Sequence, residues 1–264
     1  MSVAVNGATR LFIIVGDPIA QVRSPAGMTR AFAALGHNAV LVPVHIAPPD
    51  LRVFLQAATA VQNLDGIVAT IPHKFACYRF CTTASERAHF LETVNIMRRD
   101  PAGNWYGEML DGPGLVGALR AQGCRPEGLC ALLTGAGGAG TAIALGLIEA
   151  GVSQLAIHDI DAQRRDALIA RLSGKFKTPI SAGSADPTGF ELIVNASPAG
   201  MLPGDPYPVD VTKLTSGMFV GCVITAPAVS PLVEAAREIG CRTSVGGDMY
   251  KAEQQLMLDF LLGG

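Results

Sequence analysis

Charge is scarce in this chain of 264 residues: Asp, Glu, Lys and Arg make up 16% of it, and 20 basic against 22 acidic side chains leave a formal net charge of -2. So even a balance excludes the basic footprint by which nucleic acid or an anionic membrane is held. No uninterrupted apolar segment reaches the ~18 residues of a membrane span. The opening MSVAVNGATR lacks the basic start and apolar stretch of a signal peptide. The expected address is cytoplasmic. Metal-ligand spacing is missing too. Cys77 and Cys81 are separated by three residues, and Cys124, Cys130, Cys222 and Cys241 are scattered. His37, His45, His73, His89 and His158 form no pair at ligand spacing. Free thiols and no metal are expected. What the chain does have is apolar content, at 49%, and a length that allows one large domain or two modest ones, each with a substantial core.

The strongest motif lies near the middle. An apolar run, Leu132-Leu133-Thr134, feeds Gly135-Ala136-Gly137-Gly138-Ala139-Gly140, and a second strand-like run, Gln154 to His158, ends on Asp159. Glycines here let the chain turn tightly, bring backbone N–H groups against a pyrophosphate and pack the next helix on the sheet, with the positive helix end facing the phosphates. Asp159 stands about twenty residues on, where a carboxylate hydrogen-bonds the ribose hydroxyls. The reading is a Rossmann unit, continued by helices over 140–151 and 161–173 and strands at Leu192 to Val194 and Met218 to Ile224.

The ~130 residues before it need a separate role. Leu11 to Val15, Ala39 to Val44 and Gly66 to Ile71 read as buried strands, and Met28 to Leu35 and Asp50 to Ala60 as helices. Ser24-Pro25 offers an N-cap and first-turn proline. This alternation predicts an α/β layer with parallel pairing. Lys74 follows the third strand beyond Pro72. Asp111 follows another strand, Trp105 to Leu110, and precedes a helix over 114–122 that could bridge two lobes. A last helix, Met249 to Leu262, has no strand after it and could pack back on the first lobe.

Taken in order, Gly16-Asp17-Pro18-Ile19, Ser24-Pro25, Thr70-Ile71-Pro72-His73-Lys74, Val94-Asn95, Asp111-Gly112-Pro113-Gly114, Gly135 to Ala139, Asn195 to Met201, Pro227 with Ser230-Pro231-Leu232, and Gly247-Asp248-Met249 closely resemble the shikimate dehydrogenase family. That family also includes quinate dehydrogenases and members with less usual substrates. The resemblance implies a two-lobed α/β architecture: an N-terminal α/β substrate-binding domain over 1–111 plus 247–264, completed by the last helix, and a C-terminal Rossmann NAD(P)-binding domain over 112–246. It implies an oxidoreductase interconverting a ring secondary alcohol and ketone, with Lys74 and Asp111 as the catalytic pair. Oxidising the alcohol needs a base within hydrogen-bond reach of its hydroxyl. Lys74 is assigned proton transfer, and Asp111 the orientation of substrate and ammonium.

The pocket residues implied are Ser24, Thr70, Asn95, Thr225, Glu253 and Gln254, and those around the cofactor are Gly135, Ala136, Gly137, Gly138, Ala139, Asp159, Asn195, Ser197, Met201 and Gly247. Departures cluster where the family grips the substrate carboxylate. Val22 replaces one of two serines, Val68 stands in the family's Asn-Val-Thr segment, Thr225 replaces a tyrosine, and Glu253, with Gln254 adjacent, replaces a glutamine. Arg23 offers a compensating guanidinium. An altered substrate preference is therefore expected. Cofactor choice turns on His158-Asp159-Ile160-Asp161, which replaces the Asn-Arg-Thr type segment of NADP-using members. A carboxylate suits ribose hydroxyls and repels a phosphate dianion, so NAD is expected over NADP, with Arg164 and Arg165 as the opposing charges. Alternatives are a non-catalytic NAD(H)- or ligand-responsive binding protein of the same fold, or a dehydrogenase whose substrate lacks the carboxylate. The expected partner is a small molecule, with no nucleic acid or membrane, for a monomer or homodimer.

Overall fold

The structure is a computed structural model that describes residues 5–263 of the chain. These fall into two compact units. The first runs through Leu110 and takes up the chain again from Gln254; the second spans Asp111–Glu253. The second boundary lies inside the last helix, not at 247.

The first unit is built in the order β1 (Arg10–Gly16), α1 (Ser24–Ala34), β2 (Ala39–His45), a 3-10 turn at Pro48–Asp50, α2 (Leu51–Ala58), β3 (Leu64–Ala69), α3 (Lys74–Phe80), β4 (Thr83–Ala84), α4 (Glu86–Leu91), β5 (Ile96–Arg99) and β6 (Trp105–Glu108). Its sheet order is β2-β1-β3-β5-β6-β4. β1 pairs with β2 and β3 in parallel, as expected. β5, however, runs antiparallel to both β3 and β6, so the sheet is mixed. The cause is a tight link from β5 to β6: the Asp100 carboxylate accepts the amides of Ala102 (2.9 Å) and Asn104 (2.8 Å), and Gly103 takes φ +85. A side-chain turn of this kind replaces the long crossover that parallel pairing requires.

Another expectation changes at α1. Arg23 is the N-cap residue and makes no side-chain cap bond, while Ser24 is already the first helical residue and is buried. The core joins Phe12 and Phe32, stacked at 4.8 Å, with Met28, Leu41, Val68 and Ile96. Met257, Leu258 and Leu261 belong to the same cluster, so the end of the last helix completes this unit. Each such side chain is worth about 1.5–3 kcal/mol when buried.

The second unit runs α5 (Asp111–Ala121), β7 (Cys130–Thr134), α6 (Gly138–Glu149), β8 (Gln154–His158), α7 (Ala162–Ser173), β9 (Ile180–Ala182), β10 (Leu192–Asn195), a 3-10 turn at Val211–Lys213, β11 (Phe219–Cys222), α8 (Pro231–Ile239), β12 (Arg242–Ser244) and α9 (Gly246–Leu262), which crosses the boundary. Its order, β12-β11-β10-β7-β8-β9, is parallel throughout. The order is that of the doubly wound dinucleotide-binding sheet. α6 is buried nearly all round and lies against α5 at backbone distance. A Cβ on Gly112 would meet the Ala142 oxygen at 2.4 Å, and one on Gly146 would meet Gly112 Cα at 2.9 Å. α5 thus starts at Asp111, three residues earlier than expected, and packs against α6 within the second unit.

Candidate active site

β7 lies between β8 and β10, where the strand order reverses, and ligands of such sheets bind at the carboxyl ends of the strands there. Two glycines of the turn after β7 are needed for packing. At Gly135, with φ +96, a Cβ would lie 2.7 Å from the Ser197 nitrogen, and at Gly140 it would lie 1.8 Å from the Gly135 oxygen. Gly137 differs. Nothing comes within 4 Å of a Cβ placed on it, and as N-cap of α6 it supplies no side-chain cap. The N–H groups of the first helical turn have no intrahelical acceptors, and this uncovered helix end fits a pyrophosphate. Gly135 and Ala136 are buried, whereas Gly137, Gly138 and Ala139 are half-buried. Those three provide the surface, and Gly135 and Ala136 only shape the turn.

Asp159 follows β8 and has a side chain only 4% exposed. Its Oδ2 accepts the Ala136 amide at 2.6 Å, and its Oδ1 accepts the Asp161 amide at 2.8 Å and Arg164 Nη2 at 2.7 Å. Burial works to raise its pKa, but the Arg164 bond and the two amides outweigh burial and hold it below the ordinary carboxylate value. Asp159 is thus first a clamp between the glycine turn and the start of α7. With each oxygen able to accept two bonds, Oδ2 retains capacity for one more hydroxyl.

Asn195 is corrected from ligand to support. It is fully buried, and its Oδ1 accepts from Thr134 Oγ1 (3.0 Å), Ser197 N (3.0 Å) and Ser197 Oγ (2.7 Å). Its Nδ2 donates to the Ala199 oxygen (3.3 Å) and Cys222 Sγ (3.4 Å). No polar atom is left for a cofactor, so it holds the 196–201 loop in place. Ser197 is half-buried, and Met201 packs on Cys222, Ile224 and Val233. At the start of α9, Gly247 is open, but Gly246 is not: a Cβ there would lie 2.3 Å from the Ile224 oxygen.

In the first unit, β1, β3 and β6 point the same way, because β5 is antiparallel to both β3 and β6. Their carboxyl ends therefore share one sheet edge. Thr70 N bonds the Val15 oxygen (3.0 Å), Asp17 N the Ile71 oxygen (2.9 Å), Ala69 N the Asn95 oxygen (2.8 Å), and Asn95 N the Glu108 oxygen (3.1 Å). The buried Asn95 side chain accepts the Leu110 amide through Oδ1 at 2.9 Å. β6 ends at Glu108, two residues short of the expected strand, where this bond ties Leu110 to Asn95. Lys74 is the first residue of α3 and is half-buried. A cation at the positive end of a helix opposes helix stability, by about 0.3–1 kcal/mol, so helix formation does not explain it. Asp111 opens α5 and is buried, a position that the helix dipole favours.

Comparison with known proteins agrees with the fold. Residues 14–97 match the family model described as the shikimate dehydrogenase substrate binding domain. A curated relative, the shikimate dehydrogenase (NADP(+)) of Rubrobacter xylanophilus, is 34% identical over 89% of this chain and 84% of its own length. The chain belongs to the shikimate dehydrogenase family. Among solved structures, it is similar to the quinate dehydrogenase of Corynebacterium glutamicum in complex with NAD (26% identity, 97% of this chain and 94% of that one, TM-score 0.84). It is similar also to the 5-ketofructose reductase of a Gluconobacter strain (26% identity, 97% and 94%, TM-score 0.82). The shared activity class is that of an oxidoreductase using a nicotinamide dinucleotide.

Among shikimate dehydrogenase relatives the departures of this chain now have surroundings. Val22 packs against the core cluster that contains Phe12 and Phe32, and Val68 lies within it. Val68 has thus joined the apolar core, and Val22 lies partly buried at its margin. Ser24 is buried, whereas Arg23 is exposed. Thr225 is half-buried beyond β11. On α9, Glu253 falls on the buried stripe with Met249, Met257 and Leu261, while Gln254 is half-buried. The register therefore puts Glu253 on the inward face; Gly114 approaches it so closely that a Cβ there would lie 3.0 Å from Glu253 Cβ. Among the described residues no group of three or more His, Cys, Asp or Glu is placed to hold a metal, and no helix is long and apolar enough to cross a membrane. The Ala136 amide as a partner of Asp159 and Gly246 as the close-approach glycine were not legible beforehand, since both depend on contacts between distant segments.

Proposed function

We propose that this protein is a nicotinamide-dependent dehydrogenase that interconverts a secondary alcohol and a ketone on a polyhydroxylated substrate, with Lys74 taking the hydroxyl proton and Asp111 orienting the substrate and the ammonium. The observation that carries the reading is the shared sheet edge of the first unit, where Thr70, the turn bearing Lys74, and Asn95 are joined by backbone bonds. A nicotinamide bound at the glycine turn supplies the hydride acceptor. Gly137, Gly138 and Ala139 would hold its pyrophosphate, and Ser197 and Met201 follow β10 at the same end of the sheet.

NAD is the proposed cofactor. The curated relatives carry NADP(+) in their names, so this choice runs against them and rests on the chain's own residues. Asp159 is an anion fixed at the ribose end of β8, the Arg164 guanidinium is already committed to it, and the residue that follows Asp159 is the exposed Ile160, which offers a 2′-phosphate nothing.

A specific observation favours a substrate without a carboxylate. Val68 sits in the apolar core and the partly buried Val22 packs against it, so a carboxylate placed there would be left poorly paired, at a cost of about 1–3 kcal/mol. The similar 5-ketofructose reductase is named for a keto-sugar. Steady-state turnover of shikimate, quinate and neutral polyols or keto-sugars with each cofactor tests all three parts. Turnover with Lys74→Ala should fall by at least about 100-fold with NAD binding unchanged. Unchanged turnover in that variant removes the mechanism, faster use of NADP at equal low concentration removes the cofactor assignment, and no turnover of any substrate leaves the binding-protein reading.

A further inference from the structure

We infer that His73 is the positioning residue for Lys74: its imidazole locks the turn that carries the lysine to the end of β2. This rests on the reading of Lys74 as the proton-transfer group.

His73 is 1% exposed. Its Nε2 lies 2.8 Å from the Ile46 backbone oxygen, just beyond β2. A carbonyl only accepts, so Nε2 carries the hydrogen and Nδ1 carries the lone pair. Nδ1 is buried and has no hydrogen-bond partner among the described residues. An imidazole that leaves a buried acceptor unpaired is a poor choice for filling space, where an apolar side chain of similar size carries no such cost. What the imidazole supplies is the one bond to Ile46.

That bond is placed to matter for the neighbour. The His73 amide bonds the Thr70 oxygen at 2.8 Å and closes the turn around Pro72, and the His73 oxygen accepts the Cys77 amide at 2.8 Å and starts α3. The Ile46 amide in turn bonds the Gly16 oxygen at 3.3 Å. His73 is therefore the junction of three segments: the end of β1, the end of β2 and the start of α3. Lys74 is the next residue, and nothing in its own α3 helix favours a cation at that end. Without the Ile46 bond, α3 keeps its backbone turns but loses its side-chain tether to β2. A displacement of about 1 Å at a catalytic group costs on the order of 100-fold in rate.

Two near-isosteric substitutions separate positioning from packing. His73→Gln puts an N–H donor where Nε2 stands; His73→Asn puts one only at the Nδ1 position, too short for Ile46. Purified full-length variants are compared by kcat and KM on the best substrate of the panel, and by the rate at which an acylating reagent modifies Lys74, with Lys175 and Lys213 as internal references read by mass spectrometry. His73→Asn should lose about tenfold to 100-fold in kcat with KM for the nicotinamide cofactor unchanged, and its Lys74 modification rate should shift at least about threefold relative to the references. His73→Gln should return both to within about threefold of the parent. Equal behaviour of the two variants in kcat and labelling overturns the inference. If the parent turns over no substrate, the functional reading has failed, and the Lys74 labelling rates decide the positioning claim without it.

Discussion

Asp159→Asn changes one atom type at the clamp between the glycine turn and α7, and its cost can be worked from three bonds. The carboxylate accepts from Ala136 N at 2.6 Å, Asp161 N at 2.8 Å and Arg164 Nη2 at 2.7 Å. An amide has one oxygen. If that oxygen serves Asp161 and Arg164, the new NH2 faces the Ala136 N–H; if it serves Ala136, the NH2 faces the other two donors. At least one buried donor is lost, at about 1–3 kcal/mol. The remaining bonds lose their charge assistance, worth about another 1 kcal/mol, with the Arg164 share kept small because that side chain is 45% exposed. The sum, about 2–4 kcal/mol, lowers the melting temperature of the cofactor unit by on the order of 5–15 °C.

The pH dependence has a definite sign. Asp159 titrates below its unfolded value of ~3.9, so its contribution is complete at neutral pH and is lost as pH falls through the folded pKa. The parent's advantage over Asp159→Asn should be flat from about pH 8 to 5 and shrink below about pH 4. Removing the anion and releasing Arg164 should also raise the NADP:NAD ratio of kcat/KM by about tenfold. Differential scanning calorimetry across pH and initial rates with both cofactors read these out. Equal melting temperatures at pH 7 with an unchanged cofactor ratio would refute both the clamp and the selector.

Ile160→Arg, at a side chain 97% exposed, should improve kcat/KM for NADP with a stability change under about 0.5 kcal/mol by urea unfolding; a cofactor ratio that does not move counts against the placement of the 2′-phosphate. Val22→Ser should raise affinity for shikimate or quinate by roughly tenfold while costing about 1 kcal/mol of stability, and fluorescence titration showing no gain would mean that the carboxylate lies elsewhere. Burial pushes the Cys81 thiol up to about 12, so near pH 8 only ~0.01% is thiolate, and iodoacetamide should label it by mass spectrometry only after denaturation.

The parallel unit was the more readable half because its signals are local. Leu132 to Thr134, the glycine turn and Gln154 to His158 are contiguous, and β7, α6 and β8 formed within two residues of expectation. β9 and β12 escaped notice as three-residue strands at the two edges of the sheet, too short to carry a pattern. β5 escaped for another reason: Ile96-Met97-Arg98-Arg99 has no alternation, since Arg99 turns its guanidinium onto the backbone oxygens of Leu64 and Thr59 at 2.8 Å each. At the candidate site, identity was legible and partnership was not. Asp159, Asn195 and Asn95 were all named from their positions, but the bonds that commit their side-chain oxygens to Ala136, Thr134 and Leu110 are set by folding and not by spacing.

The substitutions at 22 and 68 bear on one another through the core. Val68 is an interior residue of β3, paired with Ile14 and Ile96, and Val22 packs on the same cluster from the loop before α1. A polar side chain placed at either position would face the apolar cluster that both share. Each single reversion to the family's residue type therefore pays in stability before it contributes to binding, and the two together should couple with an interaction energy of about 0.5–3 kcal/mol, the range for groups sharing a packed neighbourhood. Lys74 and Asn95 are stitched to the sheet edge by backbone bonds that do not involve this cluster, so neither reversion should disturb them.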